Sequence, residues 1–165
     1  MDYLWSPWRY RYVARADQNG ECVFCEKSAL ETARDAESLV LFRGERNFVL
    51  LNLYPYTTGH TMVVPYAHIA GPDKADRETL HEMIDLAQRV QSALAEVYTP
   101  QGYNWGMNIG QSAGAGVADH IHLHVLPRWI GDSNFMTVIG ETRVEPESLA
   151  TTYEKMRPFF TSSKR

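Results

Sequence analysis

From residue 77 onward apolar side chains recur at helical spacing: Leu80, Met83, Ile84, Ala87, Val90, Leu94 and Val97. The pattern predicts one long helix to about Tyr98, with Asp76 as its N-cap and Pro100 and Gly102 ending it. On either side of this helix the period falls to two. Ser38 to Phe42 and Asn47 to Leu51 are β-prone runs joined by Arg43-Gly44-Glu45-Arg46, which reads as a hairpin. Tyr54-Pro55-Tyr56 and Gly59 then turn the chain into a third strand, Thr61 to Val64, and Tyr103 to Ile109 reads as a fourth. The most regular alternation is His120-Ile121-His122-Leu123-His124-Val125-Leu126-Pro127-Arg128. A strand sends alternate side chains to opposite faces, so Ile121, Leu123 and Val125 should face a core while the three imidazoles line the other side. A last helix, about Pro146 to Met156 within a C-terminal segment 146–160, places Leu149, Tyr153 and Met156 on one side. Hairpins flanking a long helix predict an α+β fold with a mostly antiparallel sheet.

With 165 residues the chain suits one domain, 1–165, read as an N-terminal arm 1–20, a core 38–130 and the C-terminal helix. The arm carries Trp5, Trp8, Tyr10 and Tyr12 among arginines, a composition that suits packing on the domain or on a partner subunit; a plain surface arm is the alternative. Hydrophobic content of 44% and charged content of 22% are those of a globular protein. No apolar run approaches the roughly 20 residues of a membrane span, and the first residues lack a signal-peptide pattern, so a cytoplasmic protein without membrane partners is expected. A net charge of -4 argues against nucleic acid as partner. Phosphate recognition, if any, must then be local.

Three titratable rings in a row are costly to bury without hydrogen bonds or a metal. A neutral imidazole is a good nucleophile and is not repelled by an anionic phosphorus, whereas a carboxylate is. The upstream run Gly110-Gln111-Ser112-Ala113-Gly114-Ala115-Gly116 can bring backbone N–H groups close to an anion. These features point to nucleotidyl transfer. Two alternatives stay open: a catalytic metal shared by imidazoles at i and i+2, as in an oxygenase or lyase, and histidines that are merely structural.

His120 to Leu126 resembles the signature of the histidine triad family. Asn52-Leu53-Tyr54-Pro55-Tyr56-Thr57-Thr58-Gly59-His60, followed by Thr61 to Pro65, is similar to that family's asparagine-to-Gly-His hairpin. Leu4 to Arg9, Pro127-Arg128-Trp129 and Gly131 to Phe135 resemble its bacterial diadenosine-polyphosphate phosphorylase and hydrolase branch. The resemblance covers nearly the whole chain. It implies a homodimer that cleaves a dinucleoside polyphosphate, diadenosine tetraphosphate favoured, through a nucleotidyl-histidine intermediate. His122 would be the nucleophile, with His120 and His124 orienting its ring and managing its proton. Asn52 would hold the ribose, Phe48 and Leu50 the base, Asn108 a phosphate or the leaving group, and Gly114, Ala115 and Gly116 the phosphoryl oxygens.

Cys22 and Cys25 are the only cysteines, and a Cys-x-x-Cys pair without a secretion signal reads as metal-binding or redox-active. The resemblance implies a structural zinc held by Cys22, Cys25, His68 and His120, with no organic cofactor. Two reduced thiols and a solvated His68 form the plainer alternative. In one place the chain departs from the family's best-known hydrolases, which resemble Gln-(Ser or Thr)-Val-x-His before the triad, where Gly116-Val117-Ala118-Asp119-His120 stands here. The departure, with the motifs of the phosphorylase branch, favours inorganic phosphate as acceptor and raises Arg128 as a possible source of charge for it. Hydrolysis of dinucleoside polyphosphates or phosphoramidates, or a nucleotide-binding protein with a partner-binding role, are the other readings.

Overall fold

The computed structural model describes residues 22–132 and 147–161. The arm 1–20, residue 146 and most of the 131–135 motif lie outside them. Five strands form one sheet in the order β1-β2-β3-β5-β4, every neighbouring pair antiparallel: β1 Val40–Arg43, β2 Asn47–Leu51, β3 Thr61–Pro65, β4 Gly102–Gly106 and β5 Leu123–Arg128. Helices α1 Val23–Ala29 and α2 Asp35–Ser38 precede the sheet, α3 Arg77–Tyr98 divides it, and α4 Leu149–Met156 and α5 Pro158–Thr161 follow. None of the described helices is long and apolar enough to cross a membrane.

The strand alternation separates two apolar layers. Leu41, Val49, Leu51, Val63, Ile121, Leu123 and Val125 pack against Met83, Ala87, Val90 and Leu94 of α3 and against Tyr153 and Met156 of α4. On the other face Val40, Phe48, Leu50, Met62 and Val64 gather around Phe24 of α1. Burial of such side chains, at roughly 1.5–3 kcal/mol each, is the main force fixing the strand register. The Asp76 carboxylate caps α3 by accepting from the Thr79 N–H at 2.7 Å, as its sequence position predicts. Glu82 of α3 anchors the first hairpin by accepting from the backbone N–H groups of Glu45 and Arg46 and from the Asn47 amide.

Several elements differ from the sequence reading. Ser38 ends α2 instead of opening a strand: its hydroxyl bonds back to the carbonyls of Arg34 and Asp35, and Leu39 turns left-handed before β1. The fourth strand stops at Gly106, which pairs with His124; β5 begins one residue earlier at Leu123, so Asn108 and Ile109 have no strand residue opposite them. His120 and His122 accordingly precede β5, and only His124 lies within it. On α3 the buried stripe runs through Leu86 and Ala93, while Ile84 points away and is 44% exposed. Helix α1 was invisible to periodicity, being seven residues long and held by Phe24.

Candidate active site

His120, His122 and His124 are all buried, and the structure gives each ring a different task. Proton positions follow from their partners, because a backbone carbonyl can only accept and a backbone N–H can only donate. His122 Nδ1 lies 2.9 Å from the His120 carbonyl, so it carries the proton. In the neutral ring that leaves Nε2 with a free lone pair. Burial holds the His122 pKa below its ordinary value, with the hydrogen bond to His120 opposing, so the neutral form prevails. It is the main chain of His120, not its ring, that orients His122.

His124 is set by a second chain of bonds. The Tyr56 N–H donates to His60 Nδ1 at 3.0 Å, which forces the His60 proton onto Nε2. His60 Nε2 then donates to His124 Nδ1 at 2.8 Å, and the His124 proton must sit on its own Nε2. That Nε2 is buried and, among the described residues, has no hydrogen-bond partner. An orphaned buried N–H costs about 1–3 kcal/mol, which a ligand oxygen would recover. Burial first, and then the neighbouring His122, push the His124 pKa down to about 4. The His122 and His124 rings lie edge to face at 4.8 Å, so the free lone pair and the orphaned N–H belong to adjacent rings.

His60 is tied into the site by its bond to His124, a link to which the sequence reading assigns no role. Its signal was parity: residues 60, 62 and 64 share one face of the third strand, and that face carries His124 opposite Met62. Gly59 before it adopts φ +80°, and a Cβ there would lie 2.8 Å from Leu94 Cδ2. The turn that delivers His60 therefore requires glycine. Asn52 is buried, its side-chain oxygen accepting from the Tyr54 N–H at 2.9 Å while its amide nitrogen lies 3.4 Å from His60 Nδ1.

The ring of His120 faces elsewhere. Its Nε2 donates to the Pro65 carbonyl at 2.8 Å, freeing Nδ1 toward Cys22 Sγ at 3.2 Å and Cys25 Sγ at 3.6 Å. Cys25 Sγ is 3.3 Å from His68 Nδ1, and the four donor atoms all lie within 4.8 Å of one another. Tetrahedral zinc, with legs of about 2.3 Å to sulfur and 2.0 Å to nitrogen, would space sulfur and nitrogen roughly 3.5 Å apart. The cluster fits a metal ion on spacing and donor type. Burial, and then the hydrogen bond and charge of Cys22, raise the Cys25 pKa, so paired thiolates here call for a cation.

Other predicted residues fall differently. The loop at Gly110–Gly116 closes on itself, with the Gly114 N–H bonded to the Gln111 carbonyl at 2.9 Å and the Ala115 N–H to that of Gly110 at 3.3 Å. Those two N–H groups point into their own turn and not at an anion. Phe48 and Leu50 are 0% and 1% exposed, Phe48 stacked on Tyr66, and offer no surface to a base. Exposed apolar side chains next in the chain to buried residues of the site include Val23, before Phe24, and Leu53, after Asn52. Asn108 is half-buried in the loop after β4. Arg128 binds Asp132 through Nε and Nη2 and Asn104 through Nη1, at the end of β5 away from His124. Its charge is engaged there.

The architecture is thus an antiparallel sheet with a long helix on one face and the buried His122 and His124 rings on the other. The HIT domain model matches residues 33–129. The chain belongs to the HIT domain family. It is 40% identical to the AP-4-A phosphorylase of Mycobacterium tuberculosis over 158 residues, 92% of this chain and 80% of that protein. Similarity to the bis(5'-adenosyl)-triphosphatase of Dictyostelium discoideum is 29% over 136 residues, 78% of this chain and 89% of that one. A Zn-bound histidine triad family protein from Mycobacterium smegmatis shares the fold with a TM-score of 0.64 at 28% identity, covering 85% of this chain and 93% of that structure.

Proposed function

We propose that the protein transfers a nucleotidyl group from a dinucleoside polyphosphate, diadenosine tetraphosphate favoured, by way of a covalent intermediate on His122. The single observation that carries this reading is the hydrogen bond from His122 Nδ1 to the His120 carbonyl, which leaves Nε2 free to attack. His122 Nε2 attacks the α-phosphorus, the P–N bond forms and the bond to the remaining polyphosphate breaks. The departing polyphosphate is a weak base and needs only a hydrogen bond, which the orphaned His124 Nε2–H would donate. Inorganic phosphate then attacks the phosphorus and releases ADP, restoring neutral His122. Asn52 is assigned to the ribose, Asn108 to a phosphate, and the apolar side chains of Val23 and Leu53 to the base, in place of buried Phe48 and Leu50.

Cys22, Cys25, His68 and His120 would hold one zinc ion, supported by their mutual spacing and by the Zn-bound relative. Four protein ligands leave no open position, so the ion would stiffen the segment carrying His120 and take no part in bond making. A homodimer is supported by the edge strand β4, which exposes Trp105, and by the unpaired apolar Ile84 on α3.

Phosphate as acceptor rests on the likeness to a phosphorylase over nearly the whole chain. Water is the second reading, favoured by the engagement of Arg128 with Asp132 and Asn104. Turnover of diadenosine tetraphosphate with and without phosphate separates them. Phosphate-dependent formation of ADP and ATP supports phosphorolysis; AMP and ATP at a rate indifferent to phosphate makes the protein a hydrolase.

A further inference from the structure

We propose that Cys22 and Cys25 form an oxidation-sensitive dithiol that controls the alignment of His122, so that closing the pair to a disulfide turns the site off. The proposal rests on His122 being the nucleophile.

One residue belongs to both sites. The His120 ring points Nδ1 at the two sulfurs, 3.2 and 3.6 Å away, while its main-chain carbonyl holds the His122 Nδ1 proton at 2.9 Å. A second link runs through Phe24, which lies between the two cysteines in the chain. Its ring rests on His120 and His122, with centroids 5.4 and 5.0 Å away. Any shift of the first turn of α1 therefore reaches the nucleophile by a backbone route and by a side-chain route.

The pair is built to close. Cys22 is the N-cap of α1 and Cys25 lies in its first turn, three residues on, where side chains share a face. Their sulfurs are within 4.8 Å of each other, and both cysteines are unpaired and partly open to solvent. Bringing them to a bond of about 2.05 Å draws both sulfurs away from His120 and His68.

Hydrogen peroxide serves as oxidant. Cys25, the sulfur beside exposed His68, gives up its thiol proton and attacks one peroxide oxygen; an S–O bond forms, the O–O bond breaks and the hydroxide that leaves takes up that proton. The Cys22 thiolate then attacks that sulfur, the S–S bond forms, the S–O bond breaks and a second hydroxide leaves. Each hydroxide takes up a proton, so two waters result, and the two electrons lost by the sulfurs are those gained by peroxide. A disulfide is a poor ligand for a divalent ion, so the cluster loses two of its four donors in the same event.

The test uses the full chain loaded with zinc and titrated with hydrogen peroxide. Expected together are the loss of two hydrogens in intact mass, release of zinc to a colorimetric chelator, and movement of the His122 ring nitrogen signals in NMR. Turnover of diadenosine tetraphosphate should fall about 10- to 100-fold, the effect of displacing a reacting group by roughly 1 Å. Dithiothreitol with added zinc should restore all four readings. A disulfide that leaves turnover and the His122 signals unchanged overturns the proposal, as does peroxide that yields sulfinic acid without a disulfide. Trapping labelled nucleotide on a residue other than His122 refutes the nucleophile assignment instead, and leaves the mass and zinc readings to stand by themselves.

Discussion

Replacing His60 by phenylalanine isolates the proton chain from the packing around it. A phenyl ring can keep the contacts that His60 makes with Tyr56 and His124, at centroid distances of 4.8 and 5.0 Å. It neither accepts from the Tyr56 N–H nor donates to His124 Nδ1. His124 is then left with a buried unpaired acceptor, which costs about 1–3 kcal/mol. If that bond matters most when charge moves onto the leaving group, turnover falls by about 5- to 150-fold, at 1.36 kcal/mol per tenfold. The KM for substrate should change less than the rate, since His60 reaches the nucleotide only through Asn52, whose oxygen stays held by the Tyr54 N–H. Single-turnover kinetics give the rate, and ring nitrogen shifts show which His124 nitrogen carries the proton. A His60→Phe protein with turnover within twofold of wild type, and His124 still protonated on Nε2, would refute the reasoning.

Other outcomes follow from the same geometry. His122→Ala should fold and bind nucleotide, yet lose turnover by more than about a thousandfold, because no other described ring presents a free lone pair beside the orphaned N–H; labelled nucleotide on His120 or His124 would contradict it. Protein purified without added metal should contain one zinc per chain with ligand distances of about 2.0 to 2.3 Å, and elemental analysis giving substoichiometric metal would count against the four-ligand site. The folded pKa of His124, about 4, lies below the roughly 6.5 of an unfolded histidine. The unfolded chain therefore takes up a proton that the folded site refuses, so this stability is present above about pH 6.5 and is lost as pH falls through about 4. Urea midpoints of wild type should drop over that window more steeply than those of His124→Gln, and parallel curves would show that His124 is not the group responsible.

Much of the fold was legible because its strongest signals are local or periodic. Asp76 as cap, the apolar repeat of α3 and the alternation of Ile121, Leu123 and Val125 each reflect a choice made within a few residues of chain. Boundaries were harder where the partner decided them. Tyr103 to Ile109 alternates Tyr, Trp, Met and Ile with Asn and Gly as a strand would, yet pairing stops at Gly106, and β5 has no residue opposite Asn108 or Ile109. Ile84 fits a helical repeat as well as Leu86 does, and only the position of the sheet says which of the two is covered.

The site was legible as an inventory of rings and not as a circuit. Alternation implied one row of three histidines with neighbouring imidazoles steering the middle one. Instead, the steering of His122 comes from a main-chain carbonyl, and the His120 ring is given over to the cysteines. Proton positions are set by groups far away in sequence: Pro65 fixes His120, and Tyr56 fixes His60 and through it His124. No spacing rule encodes such bonds, since they depend on which backbone group the sheet brings to each ring nitrogen. The consequence is that residue type alone underdetermines catalysis here. Three identical side chains, two residues apart, present a ring nitrogen facing the cysteines, a free lone pair and an orphaned N–H because the group opposite each one differs.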